Sequence, residues 1–133
     1  MPVMSRAADP TSDEPITRTV LLDARLRQAK DTGRVEIREI RILPGHAGGL
    51  HLHNGPVFGT ITQGSVTYQV DGQDAAVLAP GDVFYEPENT RIARFDAGDD
   101  GATFIGFFLL SLGQQAEIRY PGRPPVTDQG EPR

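Results

Sequence analysis

The strongest limit on what this chain can fold into is its punctuation. Gly and Pro together make 26 of the 133 residues, 15 glycines and 11 prolines. They are dispersed, as in Pro44-Gly45, Gly55-Pro56, Asp71-Gly72 and Pro80-Gly81, with short apolar runs between them. Nothing reads as a long amphipathic helix. The pattern predicts roughly nine or ten short strands, with turns every ~8–12 residues. Such a rhythm belongs to an all-β barrel or sandwich.

The strands read as follows. TRTVLL (17–22) is a first strand, and DARLRQAKDTG (23–33) can hold a short helical turn. VEIREIRIL (35–43) is strand-rich, but its apolar residues change phase between Ile37 and Ile40, which predicts a bulge or bend near Glu39. GLHLH (49–53) is a short strand. VFGTITQ (57–63) and SVTYQV (65–70) form a strand and its return about Gly64-Ser65, and Asp71-Gly72 is a hairpin signal. DAAVLA (74–79), VFYE (83–86), TRIARFDA (90–97) and ATFIGFFLL (102–110) complete the set, with a turn at Asp99-Asp100-Gly101.

Residues 1–15 are polar with three prolines and read as a flexible N-terminal arm. Residues 121–133 carry four prolines and read as a tail, disordered or extended along a surface. The domain is therefore residues 16–120, enough for one core and too short for two.

Composition narrows the partners. Asp plus Glu number 18 against 13 Lys plus Arg, and Lys30 is the single lysine. There is no basic stripe, so a nucleic-acid partner is not expected. The chain has no cysteine, which excludes disulfides and thiolate zinc sites and fits a cytoplasmic location. The apolar run FIGFFLL (104–110) is too short to span a bilayer, and no signal-peptide run precedes the domain, so no membrane role is expected.

The chemistry concentrates in GGLHLHNGPVF (48–58). A strand alternates its side chains, so His51 and His53 share one face and Leu52 takes the other. Two adjacent imidazoles open a metal site, or a neutral pair bonded to each other, water or a small ligand. His46 and Glu86 are the candidate extra metal ligands; the plainer readings are an exposed loop residue for His46 and a strand-end or satisfied buried carboxylate for Glu86. Arg94 shares parity with Ile92 and is a candidate for the interior if Ile92 points inward; the plainer reading is a solvated surface arginine. Tyr68 and Tyr85 are candidate cavity or core aromatics. No nucleophile constellation is present, since there is no Cys and no Gly-x-Ser-x-Gly.

These residues resemble the cupin superfamily, in particular its small single-domain (RmlC-like) bacterial members. The first cupin motif is Gly, five residues, His-x-His, three or four residues, Glu, six residues, Gly. Here it reads Gly45, His51, His53, Val57 in place of Glu, and Gly64. The second is Gly-Asp, four residues, Pro, four residues, His; here it reads Gly81-Asp82, Pro87, and Ile92 in place of His. The similarity spans residues 35–110. It implies a jelly-roll barrel, a double-stranded β-helix, holding a small organic molecule. Metal-binding cupins use three His and one Glu, so it also implies His51 and His53 as ligands, with Val57 and Ile92 at the two vacated positions. The expected ligand-binding set is Val57, Tyr68, Glu86, Ile92 and Arg94, around His51 and His53 as proton-transfer groups. The cofactor is either none or a single divalent transition metal. Three functions stay open. One is acid–base enzyme chemistry of the isomerase, cyclase or dehydratase kind. The second is a non-catalytic ligand sensor, and the third a metal-dependent dioxygenase. A homodimer is the expected assembly.

Overall fold

A computed structural model of the chain describes residues 13–124 and 126–127. Eight strands are present among them: β1 (Arg34–Ile42), β2 (Leu52–His53), β3 (Val57–Val70), β4 (Ala76–Leu78), β5 (Val83–Glu86), β6 (Ile92–Leu110), β7 (Glu117–Arg119) and β8 (Val126–Thr127). All the strand pairs are antiparallel. The main sheet runs β1-β6-β3-β4, with β5 also bonded to β3, and a small sheet runs β2-β7-β8. The fold is an all-β jelly roll. No helix among the described residues is long and apolar enough to cross a membrane.

The two longest strands correct the sequence reading. Gly64-Ser65 and Asp99-Asp100-Gly101 are not hairpin turns; β3 and β6 each continue unbroken through them. The two strands pair from Val57↔Phe108 to Val70↔Ile92, with register shifts between Ile61 and Gln63, between Gly64 and Val66, and between Gln69 and Val70. At the bend Gly64 has a φ of +72°, and a Cβ there would lie 2.0 Å from the Gly101 carbonyl oxygen. Both strands kink where their backbones approach too closely for any side chain. The bend lets one pair of strands contribute to two walls of the barrel.

Other expectations also change. Residues 17–22 form no strand; Ile16 and Val20 stay exposed, so burial does not hold the segment against a neighbour. Residues 23–33 contain bends and no helix. β1 has no bulge near Glu39: its register with β6 is unbroken from Arg34↔Leu110 to Ile42↔Ala102. The phase change is instead resolved by leaving Val35 and Ile37 on the outer face, while Ile40 and Ile42 pack on the core. Two short strands, β7 and β8, lie in the stretch where none were predicted, and Val126 pairs with Ile118. Residues 1–12, most of the expected N-terminal arm, lie outside the described residues, as do 125 and 128–133.

The core lies between the walls and is aromatic at its centre. Phe84, Phe95 and Phe104 meet edge to face, with centroids 5.0–5.6 Å apart. Each such pair adds about 0.5–1.5 kcal/mol beyond its area burial. Val66, Ile61 and Leu110 fill the remaining space and are essentially inaccessible.

Replacing Gly64 with Ala is expected to cost about 2 kcal/mol or more, combining a disfavoured φ with a backbone clash. Urea unfolding checks this; an unchanged midpoint would show that the bend does not need glycine.

Candidate metal centre

The His strand is held from both sides. His51 forms a reciprocal bridge with Ile92 at the start of β6, donating its N–H to the Ile92 carbonyl at 3.0 Å and accepting the Ile92 N–H at 2.8 Å. On the other side Leu52 pairs with Arg119 and His53 with Ile118. His51 and His53 project to one face, as alternation requires, with rings edge to face and centroids 5.0 Å apart. Both are buried.

Glu86 completes the group. It ends β5 directly opposite Val57 of β3, so its side chain shares the interior face. Pro87 then stops the strand. Asn89 takes a φ of +50° in the turn and donates its N–H to the His53 carbonyl at 2.9 Å. Asn tolerates this left-handed conformation better than most residues. The turn thus ties the carboxylate-bearing strand to the backbone of the second histidine. Glu86 is 4% exposed. Its two oxygens lie 3.0 Å from His53 Nε2 and 3.5 Å from His51 Nε2.

The tautomer of His51 follows from its other nitrogen. Nδ1 lies 2.9 Å from the Gly49 carbonyl oxygen, which can only accept, so Nδ1 carries a proton. With Nδ1 protonated, His51 meets Glu86 either as an imidazolium donating its Nε2–H or, when neutral, through a cation between Nε2 and the carboxylate. A backbone carbonyl holding the distal N–H of an imidazole is also the usual support of a metal-ligating histidine. One donor atom from each of His51, His53 and Glu86 falls within 4.8 Å of the others, as a single ion requires. Two imidazoles and a carboxylate suit iron or another divalent transition metal.

Burial alone pushes the Glu86 carboxyl upward, and it is the largest influence. The combined charge and hydrogen bonding of His53 and His51 outweigh it and bring the group down to about 2. The carboxylate therefore stays ionised inside the barrel. Tyr68 is raised well above an ordinary phenol, first by burial and then by the Glu86 and Tyr85 charges, and its hydroxyl donates to the Tyr85 carbonyl.

Of the residues picked from the sequence, the structure brings His51, His53 and Glu86 together. Val57 and Ile92 are at most 2% exposed and are the cross-strand partners of Glu86 and His51. They form the apolar side of the same group. Tyr68 packs into the aromatic core beside it. His46 is exposed on its loop and joins no ligand group among the described residues. Arg94 corrects the parity argument. Gln69 pairs with Arg94 and Val70 with Ile92, so Ala93 is an extra residue that flips the phase. Ile92 and Phe95 face inward, while Arg94 is about half exposed beside Asp96. Sequence reasoning missed Tyr120, whose ring lies 6.5 Å from that of His51, and Asn54 and Asn89, which bond to the strands around the site. Nothing in local sequence marks Tyr120, because its proximity depends on the β2–β7 pairing.

A cupin domain model matches residues 38–105, half of the chain. The chain belongs to the cupin family. No curated protein matches it. Among solved structures it is similar to a cupin-like protein from Thermotoga maritima, at 28% identity and a TM-score of 0.54, with 62% of each chain covered. It is also similar to the DMSP lyase DddQ from Ruegeria pomeroyi, at 18% identity and a TM-score of 0.58, covering 71% of this chain and 47% of that one. A third is a sugar phosphate isomerase of the cupin superfamily from Silicibacter pomeroyi, at 20% identity and a TM-score of 0.55, covering 76% and 72%. The chain thus spans under two thirds of the first two proteins. In the cupin pattern the carboxylate ligand belongs at Val57; here a carboxylate stands one strand over, at its cross-strand partner.

The Glu86 carboxyl lies below its ordinary value of 4.5 in the folded chain, so its charge stabilises the fold above that pH. This contribution is lost as pH falls from 4.5 towards about 2. In chelator-treated protein, urea midpoints should fall across that window. Glu86→Gln should lack this acid-sensitive component and lose about 3 kcal/mol at neutral pH, because two buried imidazoles lose their anion. Equal acid profiles for the two proteins would contradict the assignment.

Proposed function

We propose that this cupin binds one divalent transition metal through His51, His53 and Glu86 and uses it to transform a small organic molecule. The observation that carries the reading is the convergence of three buried donors, with the distal nitrogen of His51 held by the Gly49 carbonyl. When bound, the metal would supply a Lewis acid and positions for ligand or water. Glu86 supplies the balancing negative charge, and the Gly49 carbonyl holds His51 in the ligating tautomer. Val57 and Ile92 keep water from that side of the ion. A His or carboxylate freed from one bond can take or return a proton, which suits isomerisation, cyclisation or dehydration. The DMSP lyase and the sugar phosphate isomerase are enzymes on this fold, and their likeness bears on the fold alone.

A non-catalytic sensor is the second reading. It is favoured by Val57 and Ile92, buried apolar residues at the two positions where metal-binding cupins carry Glu and His. We also propose a cytoplasmic homodimer that uses the outer sheet face. There Val35 and Ile37 lie exposed beside Leu109 and Phe107. A light-scattering mass of one chain would remove the dimer.

Elemental mass spectrometry of untagged protein tests the metal. About one equivalent is expected in the native chain, with loss in His51→Ala/His53→Ala and in Glu86→Ala. An absence of metal after loading with Fe(II), Mn(II), Zn(II) or Co(II) would sink the reading. Ile92→His places a third imidazole opposite His51 and should tighten Co(II) binding about tenfold or more. Unchanged affinity would mean that Ile92 does not face the ion.

A further inference from the structure

The geometry points to residues 114–124 as a movable lid over the His51, His53 and Glu86 site, hinged at Leu112–Gly113. The inference deepens the metal-site reading by naming what controls access to it.

The segment forms one flank of the His strand. Ile118 pairs with His53, Arg119 with Leu52, and the Tyr120 ring lies 6.5 Å from His51. Ala116, which is 3% exposed, closes the crevice beside His53. The segment is therefore well placed to bar the imidazoles from solvent.

Its attachment is of a kind that opens locally. β7 is three residues long, bonds to the short β2 and β8, and takes no part in the main sheet. Apart from Ala116, which packs in the apolar core, most of the grip is polar. The Asn54 side chain accepts the Glu117 N–H at 2.9 Å and donates to the Gln115 carbonyl at 2.8 Å. Gln114 donates to the Asn54 carbonyl at 3.1 Å, and its own oxygen accepts from Lys30 Nζ at 2.8 Å and from Ser111 N–H at 2.9 Å. Such bonds exchange readily with water, so releasing them costs little against unfolding the apolar barrel. The hinge is exposed. Leu112 is 79% accessible, and Gly113 has a φ of +78° with open space where a side chain would stand. The barrel can stay folded while the segment swings.

Histidine acylation by diethyl pyrocarbonate tests this in the full chain after chelator dialysis. Exposed His46 serves as the internal reference. Because the chain has no cysteine, Leu52→Cys/Arg119→Cys makes one cross-strand disulfide, which pins the lid to the His strand. Oxidation should slow acylation of His51 and His53 about tenfold or more relative to the reduced variant, with His46 unchanged. Gln114→Ala should speed it several-fold. Val66→Ala, a core change, controls for global unfolding: matched to Gln114→Ala by urea stability, it should speed acylation less. Equal rates in the oxidised and reduced forms, or equal acceleration by Val66→Ala, would overturn the lid. Metal content measured on the same proteins reports separately on the metal reading, since acylation requires no ion.

Discussion

The β3–β6 ladder holds the other elements of this molecule in place. The two strands pair along nearly their whole length and kink together where Gly64 meets Gly101. Because both bend at the same place, each half of the ladder faces a different wall of the barrel. One half carries β5 and hence Glu86; the far end of β6 carries the His51 bridge. Neither β2 nor β5 is long enough to be stable alone. Their meeting point exists because a longer pair of strands fixes it.

The site stores an electrostatic conflict inside an apolar barrel. A carboxylate with 4% exposure is costly to keep charged, and Val57, Ile92 and the phenylalanine cluster offer no compensation. The two imidazoles do, and they are held where they can. The Gly49 carbonyl settles the proton on one nitrogen of His51, while the Asn89 turn fixes the backbone of His53. A site supported in this way is preorganised: the groups that orient it are not the groups that would react.

The carboxylate at Glu86, cross-strand from Val57, shows how a barrel can carry an acidic group on either of two paired strands. Residues paired across an antiparallel ladder have side chains on one face about 5 Å apart. An acidic residue at Glu86 therefore reaches nearly the same space as one at Val57. The second departure has no such replacement: Ile92 stands opposite His51 and keeps that side apolar.

Much of this was legible in the residues themselves. The all-β class and the shared face of His51 and His53 follow from period-two alternation and turn chemistry. The cupin spacing was equally plain, from Gly45 through Gly64 to Gly81-Asp82 and Pro87. What local pattern could not decide was register. A glycine that ends a strand and a glycine that bends one look alike, so Gly64 and Gly101 read as turns. An extra residue at Ala93 turned Arg94 outward against its parity. Glu86 was one of two candidate extra ligands until β5 paired with β3, and Tyr120 carried no signal at all. Alternation is a property of neighbours along the chain, so the residues alone settle it. Which residues face each other across strands depends on non-local hydrogen bonding and burial, and those are fixed only when the barrel closes.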